Sequence, residues 1–385
     1  EDNPYGFAGG IVTCDSAFLV NNRYAVFFDP YGYDNMSYFH RTHFRTTTAL
    51  MDNSYPCSFV YVNGIKPLRF SGCTFTNTRG ENEVNYGNRG NGIYSFNSQL
   101  VIDSYCLVSL NDICVKSEPS MFDKLTRGIY ALTSAGQGSI RLSKAIFTDN
   151  IYGAYFSAFN PVASLQVHSN TFQLGTSVPD NGYGLYLDNC TGFHVEDNEF
   201  YRVPSVEFKG IGLVVNNSGT QPNEIYRNRF YNLKYATLSQ GTNRNYNPPL
   251  DIGGLCYKCN KFIKDDGTEP NLTDMAVTTK TISTLFTGIA KNQGTYLEED
   301  VFLPAGNMFQ QNPTSAHYDF NNGGNLIIYY HHEVTPLPYR IIPKPENCNG
   351  PVTNSEVLGS FTVAYCPSTL AGGGVMEDIE LLTEN

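Results

Sequence analysis

The side chains of this chain best suited to acid–base work concentrate between positions 168 and 261. His168, His194, Glu196, Asp197 and Glu199 stand among the cations Lys209, Arg227, Arg229, Lys258 and Lys261. An imidazole beside a carboxylate is the usual pairing for moving a proton near neutral pH. Whether these groups meet depends on register, and the sequence supplies one. Four positions before Phe75, Phe147, Phe172, Phe200, Phe230 and Phe262 stand Ser71, Ser143, His168, Glu196, Tyr226 and Lys258. If each phenylalanine marks one rung of a stack, these six form a row with neighbours roughly 4.8 Å apart. His168, Glu196 and Tyr226 are therefore the candidate catalytic residues of an enzyme reading. The same spacing also describes a solvated row on an exposed sheet. One position before each phenylalanine stand Thr171, Glu199, Arg229 and Lys261. Glu199 facing Arg229 is an ordinary cross-strand charge pair, contributing ~0.2 to 1 kcal/mol. The row carries neither a second carboxylate placed for glycoside hydrolysis nor an aspartate cluster of the kind that holds calcium in polysaccharide lyases. The non-catalytic reading is therefore favoured.

Metal ligation finds less support. His331 and His332 are adjacent, so on a strand they point to opposite faces. His40 and His43 would share a face on a helix, yet their Tyr, Phe and Thr neighbours favour strand. Cys256-Tyr-Lys-Cys259 is half of a zinc-knuckle pattern, and also reads as a redox pair, a rung-local disulfide or two small core residues. No metal site is expected. Cys348 and Cys366 bracket an Asn-Gly-Pro turn at 349–351 and are expected to form a disulfide; Cys14, Cys57, Cys73, Cys106, Cys114 and Cys190 are expected in the core or between rungs.

The elements that must carry these groups are strands. Leu165-Gln-Val-His-Ser-Asn-Thr-Phe172, Phe193-His-Val-Glu-Asp-Asn-Glu-Phe200 and Asn223-Glu-Ile-Tyr-Arg-Asn-Arg-Phe230 alternate apolar and polar residues with period two. Phe147, Phe172, Phe200, Phe230 and Phe262 recur at intervals of 25 to 32 residues, the range of solenoid repeats. A second strand type opens on glycine, as in Gly92-Ile-Tyr, Gly128-Ile-Tyr, Gly153-Ala-Tyr and Gly184-Leu-Tyr. The pattern predicts an all-β, right-handed parallel β-helix. Phe172, Phe200, Phe230 and Phe262 should stack inside it. Asn170, Asn198, Asn228 and Asn260, with Asn307, should form a corner ladder, since asparagine accepts left-handed backbone and bonds the local main chain. Residues 1–60 read as an N-terminal cap or first coils, 61–330 as the helix, and 331–385 as a Pro/Gly-rich cap or linker.

The net charge of −11 with only 16% charged residues excludes a phosphate-binding surface and hence nucleic acid. No apolar run approaches the roughly 18 residues of a membrane span. The chain opens without Met and ends beyond Gly372-Gly-Gly, as expected of a processed or partial piece of a longer polypeptide. Tyr occurs 27 times, and tyrosines exposed on a flat sheet are candidates for stacking on sugars.

Several runs carry a resemblance: Gly254-Leu with Cys259-Asn-Lys-Phe262, Gly288-Ile-Ala, Ala305-Gly-Asn-Met-Phe309, the Tyr329-Tyr330 pair and Cys366-Pro-Ser. Over roughly residues 120–370 they resemble the large right-handed β-helix (pectin-lyase-like) surface proteins of Bacteroidetes exported by the type IX secretion system. The resemblance implies fold and export route more than activity. Asp15-Ser16-Ala17 matches the pattern such bacteria O-glycosylate at Ser16. The expected function is a non-catalytic secreted or cell-surface β-helix, an adhesin, binding stalk or export cargo. It needs no cofactor, and its partners are surface polysaccharide or the export machinery of the outer membrane. The alternative is a polysaccharide lyase or hydrolase on the same scaffold.

Overall fold

The computed structural model describes residues 11–30, 36–51, 54–79, 85–134, 137–175, 182–203, 210–246, 252–264, 269–279, 284–297, 301–334, 339–360 and 366–370. Lys209, Pro336, Pro338 and Gly372 lie outside these. Three parallel sheets of nine, eight and eleven strands, counted among the described residues, wind together as a right-handed parallel β-helix. Each coil contributes one strand to each face. Strands Leu165–His168, Thr171–Leu174 and Tyr183–Asp188 show the unit, followed one coil later by His194–Glu196, Glu199–Arg202 and Ile211–Asn216. The coil already exists at the start of the described chain, where Thr13–Asp15, Phe18–Val20 and Val26–Phe28 add one strand to each sheet.

Alternation decides the inside. In Leu165–His168 the residues Leu165 and Val167 are buried while Gln166 and His168 face outward in part. On the second face the phenylalanines form one continuous interior column. Phe44, Phe75, Phe122, Phe147, Phe172, Phe200, Phe230 and Phe262 are each paired with the next at centroid distances between 4.6 and 5.6 Å with near-parallel rings, and Phe309 continues the column at 5.7 Å.

The glycine that opens each third-face strand exists for this column. A Cβ on Gly184 would lie 2.5 Å from the carbonyl oxygen of Gly212 and 2.7 Å from the Phe200 ring, and Gly128 and Gly153 meet Phe147 and Phe172 in the same way. The ring edge fills the space where a side chain would stand, and the next coil's backbone closes over it. The two sequence signals are thus one packing unit.

The corner asparagines are fully buried and bonded from coil to coil. Asn170 donates from its side-chain amide to Leu142 O at 3.0 Å, Asn198 to Val167 O at 2.8 Å, Asn228 to Val195 O at 3.1 Å and Asn260 to Ile225 O at 2.8 Å. Each Oδ1 accepts from the backbone amide one rung earlier, as Asn198 does from Asn170 at 3.0 Å. One part of the expectation shifts. The left-handed residue is the one before each asparagine: Ser169, Asp197, Arg227 and Cys259 have φ of 58°, 55°, 55° and 58°. That conformation costs roughly 1–2 kcal/mol per non-Gly residue, and the buried amide ladder is what holds it.

Among the described residues, two insertions interrupt the coils. Between Asp103 and Ser120 a hairpin, Tyr105–Leu110 with Ile113–Glu118, projects from the body. It exposes Leu110 and Ile113 and is stapled by Cys106–Cys114, so these two cysteines are neither core nor cross-rung residues. After Lys258 the first face hands over to a four-stranded sheet containing Asn292–Tyr296, Phe302–Pro304, Ile327–Val334 and Val352–Ser360. Gln293 makes the splice: its side-chain amide donates to Leu255 O and Ala290 O while its oxygen accepts from Tyr257 N at 2.9 Å.

Candidate functional site

On the first face, the strands ending at Ser143, His168, Glu196, Tyr226 and Lys258 lie side by side with these residues in register. Neighbouring positions do not make a dyad here. Burial holds the His168 imidazole down at about 4, so it is neutral at physiological pH, and its Nδ1 is buried without a hydrogen-bond partner. Glu196 is fully buried, and its carboxylate turns to His194 on its own strand, with His194 Nε2 at 2.8 Å from Oε2.

The remaining capacity of Glu196 is taken by the chain's own C-terminal segment. Ser368 Oγ and Thr369 N each donate to Oε1 at 2.8 Å, and Thr369 Oγ1 donates to Oε2. Burial alone would raise the Glu196 pKa, but the bonds from Thr369, Ser368 and His194 outweigh it and hold the carboxyl below its usual value. Tyr226 OH donates to Pro367 O at 2.7 Å, and Arg227 Nη1 to Cys366 O at 2.9 Å. Residues 366–370 form a strap across the row, belonging to no strand, with Pro367, Ser368 and Thr369 exposed on their outer side.

The strap is anchored covalently, and the anchor corrects the expected disulfide. Cys366 is bonded to Cys259, with Cα atoms 5.7 Å apart, and Cys348 is a free thiol. Cys348 sits on the last strand of the third sheet, paired with Phe320, where burial raises its thiol to about 12. Cys366 lies over the first face instead, and Cys259 is the left-handed corner residue beneath it. Cys256 is not its partner: it is a free thiol raised by burial to about 12, with Sγ on Asn292 O.

Beside the strap opens a cavity of about 250 Å³ lined by Glu224, Tyr226, Lys258, Thr295, His332 and Cys366. Lys258 Nζ donates to Thr295 Oγ1 at 2.8 Å and pairs with the Glu224 carboxylate. Burial lowers the amine to about 8. The strap with its disulfide therefore walls both the Glu196 row and this cavity, a pairing that neither segment's sequence signals.

Elsewhere the histidines have structural partners. His43 stacks on Phe18 with ring centres 4.7 Å apart and His40 on Tyr38 at 5.0 Å, both on strands. His331 and His332 are buried, and His331 Nδ1 lies 2.9 Å from its neighbour's carbonyl oxygen. The sequence reading missed the one set of three or more convergent donors found among the described residues, Asp274, His317 and Asp319. His317 Nδ1 lies 2.8 Å from Asn271 O, and Nε2 lies 3.2 Å from Asp274 and 3.1 Å from Asp319. Burial would lower this imidazole, but the carboxylates outweigh it and raise it to about 10. Arg340 bonds Asp319 from the other side at 2.5 Å.

Tyrosines line the outside of the third face, where Phe27, Tyr61, Tyr94, Tyr130, Tyr155 and Tyr186 occupy one register position. Phe27–Tyr61, Tyr61–Tyr94 and Tyr155–Tyr186 are stacked at 4.4 to 5.1 Å, and Tyr130 turns edge-on between its neighbours under the Arg127 guanidinium. Stacked rings cover one another's faces, so this column offers ring edges and hydroxyls rather than open π-faces. Ser16 is exposed in a turn with φ 53°, its hydroxyl donating to Asp15 at 2.8 Å.

With this geometry in place, comparison with known proteins gives one family: that described as periplasmic copper-binding protein (NosD) matches residues 58–264, the regular coils that carry the row. No curated protein and no solved structure matches the chain.

Proposed function

The chain belongs to the NosD family of β-helix proteins, and from that premise we propose that it is an exported, non-catalytic binding β-helix whose ligand is a polysaccharide. The observation that carries this reading is the closure of the acid–base row. Glu196, the central carboxylate of that row, has both oxygens occupied by the chain itself, and His168 beside it is held neutral. Export is supported by the family's periplasmic description and by two disulfides, which persist in oxidising compartments. No helix of the described chain is long and apolar enough to cross a membrane. Service as an adhesin or as cargo of the type IX machinery, with glycosylation at Ser16, is the finer form of the same reading. It rests on the sequence resemblance and on the exposure of Ser16.

The family's description raises copper, which favours imidazole, thiolate and thioether donors. The convergent set at Asp274, His317 and Asp319 fits it poorly. Its one imidazole carries a proton at neutral pH and has both nitrogens engaged. The guanidinium of Arg340 already balances the second carboxylate, and the set contains no sulfur. These groups form a closed ion network rather than a copper site.

The test is incubation of the purified protein with a panel of neutral and acidic glycans, following new reducing ends and the absorbance of unsaturated uronates. No turnover is expected, with or without reductant. Turnover abolished by His168→Ala together with Glu196→Ala would overturn the reading and make the row a catalytic site.

A further inference from the structure

We propose that the strap 366–370 is a tethered stand-in for sugar hydroxyls, and that the surface beneath it is a recognition site for a neutral polysaccharide, opened when a dithiol reduces Cys259–Cys366. The inference deepens the binding function above and rests on it.

The strap's contacts are those a sugar would make. Two hydroxyls on consecutive residues, Ser368 and Thr369, deliver their protons to the two oxygens of one ionised carboxylate, Glu196. Adjacent hydroxyls of a hexose meet a carboxylate in the same way, as two charge-assisted hydrogen bonds. Next to them two donors, Tyr226 OH and Arg227 Nη1, point at carbonyl oxygens of the strap, where a ligand would present ring or hydroxyl oxygens. A site with one anionic acceptor between neutral and cationic donors suits a polyol. Uronate chains would bring their own carboxylates against Glu196, so the ligand is neutral.

The strap is also built to leave. It lies in no strand and keeps Pro367, Ser368 and Thr369 exposed, so beyond Cys366, which packs against Ile341, little apolar surface holds it, and its polar contacts are with side chains that a ligand or water can satisfy one for one. What holds it is the tether. An occupant attached at Cys259 competes at an effective concentration on the order of millimolar or above, enough to exclude a weakly bound glycan. Opening the disulfide leaves the strap held only through the main chain that joins it to the strand ending at Ser360, a looser tether at a lower effective concentration. One thiolate of the dithiol attacks a sulfur of the pair, and a mixed disulfide forms with release of the other cysteine. The second thiol then resolves it. Two electrons and two protons pass from the dithiol to Cys259 and Cys366, and the dithiol leaves as its cyclic disulfide. The cavity lined by both cysteines is the entry for a small reductant.

The experiment uses the full chain, oxidised, reduced with dithiothreitol, and as Cys366→Ser. Calorimetric titration is carried out with cellohexaose, laminarihexaose and mannohexaose, with hexagalacturonate as the acidic control. Limited proteolysis at 366–370 reports release of the strap independently of binding. Reduction or Cys366→Ser should expose the strap to protease and tighten binding of at least one neutral hexasaccharide by tenfold or more, and Glu196→Gln should return it to the oxidised level. Ser368→Ala with Thr369→Val, which leaves the disulfide intact, should give an intermediate gain and guards against misfolding of the cysteine variant. A strap that stays protected after reduction overturns the gate. Release without any gain in glycan binding, or equal binding by oxidised and reduced protein, overturns the hydroxyl site while leaving the non-catalytic reading intact. Hydrolysis of a hexasaccharide would instead sink that reading. A Cys-Pro-Ser-Thr-Leu peptide that binds Cys366→Ser when no hexasaccharide does would replace the sugar with a protein segment.

Discussion

Replacing Asn198 tests the corner ladder most directly, because each of its bonds can be followed to what remains when it is removed. Its amide donates to Val167 O, Glu196 O and Asn228 Oδ1, and its oxygen accepts from the backbone and side chain of Asn170. In Asn198→Leu four of these partners keep another bond. Glu196 O still accepts from Ser169 N, Asn228 Oδ1 from the backbone of residue 198, the Asn170 side chain still donates to Leu142 O, and Val167 O keeps its place in the parallel ladder with the Glu196 strand. One donor is stranded at full burial, the Asn170 N–H. At about 1–3 kcal/mol for that donor and about 0.5–1.5 for each of the two amide N–H bonds lost, the loss is roughly 2–6 kcal/mol, and burying leucine returns about 1.5–3. The expected net destabilisation is about 0.5–3 kcal/mol. Asn198→Asp is the sharper comparison. It keeps the acceptor for Asn170 but turns an oxygen toward Val167 O, Glu196 O and Asn228 Oδ1, so at pH 7 it should cost more than leucine despite its matching shape. Because protonating the new carboxyl restores one donor, the deficit of the Asp variant should shrink below pH 5. Urea unfolding followed by far-UV circular dichroism measures all three. A leucine variant within 0.5 kcal/mol of wild type, or an Asp variant milder than leucine at pH 7, would show that the ladder does not hold the corner.

The interior column gives two further predictions by the same assay. Phe200→Ala, which removes a ring stacked between Phe172 and Phe230 at 4.7 and 4.9 Å, should cost about 3–5 kcal/mol; a loss under 1 kcal/mol would mean the stack collapses freely. Gly184→Ala should cost at least about 1–3 kcal/mol, and Phe200→Ala should not rescue it, because the Gly212 carbonyl oxygen 2.5 Å from the new Cβ is backbone. The His317 network predicts a pH dependence. The imidazole is raised in the folded chain from about 6.5 to about 10. Its stabilisation is therefore complete below about pH 6.5 and lost as pH rises toward 10, at about 1.4 kcal/mol per pH unit for one proton. In His317→Asn the fall in urea midpoint between pH 7 and 9 should flatten, and an unchanged slope would reject a charged His317.

The features legible in the sequence were those repeated once per coil. Phe172, Phe200 and Phe230 sit two residues after their asparagines, so period and register could be counted from Ser143 to Lys258; Ser71 is not the neighbour of Ser143, because the strand ending at Asp103 lies between them. Phe122 belongs to the same column but follows a 14-residue hairpin and lacks the Asn-x-Phe signature, so counting passed over it. The left-handed residue was misplaced by one position, since asparagine's tolerance of that conformation and its skill at bonding backbone are separate properties, and the fold uses the second. Cys259 and Cys366 are 107 residues apart, and no local rule links them. The nearer cysteine, Cys348, was the wrong partner because its place on the third face is set by pairing with Phe320. The strap escaped notice for the same reason: Ser368 and Thr369 repeat nothing, and their meaning lies in a carboxylate more than 170 residues upstream.

The disulfide also changes how the solenoid would answer to force. Strands run across the long axis, so tension applied along that axis peels coils one at a time, breaking a few backbone bonds per step. The link between residues 259 and 366 closes a loop of 107 residues. At roughly 3.3–3.6 Å per extended residue, it withholds about 350–390 Å of contour from any pull delivered through flanking chain. A single-molecule extension trace of the oxidised protein should stop short by that length, and by about 26–29 Å more for the eight-residue loop closed by Cys106–Cys114, and gain both on adding dithiothreitol. The chain thus has a fixed reach under oxidising conditions and a longer one under reducing conditions, a mechanical property set mainly by one covalent bond rather than by the strength of its sheets.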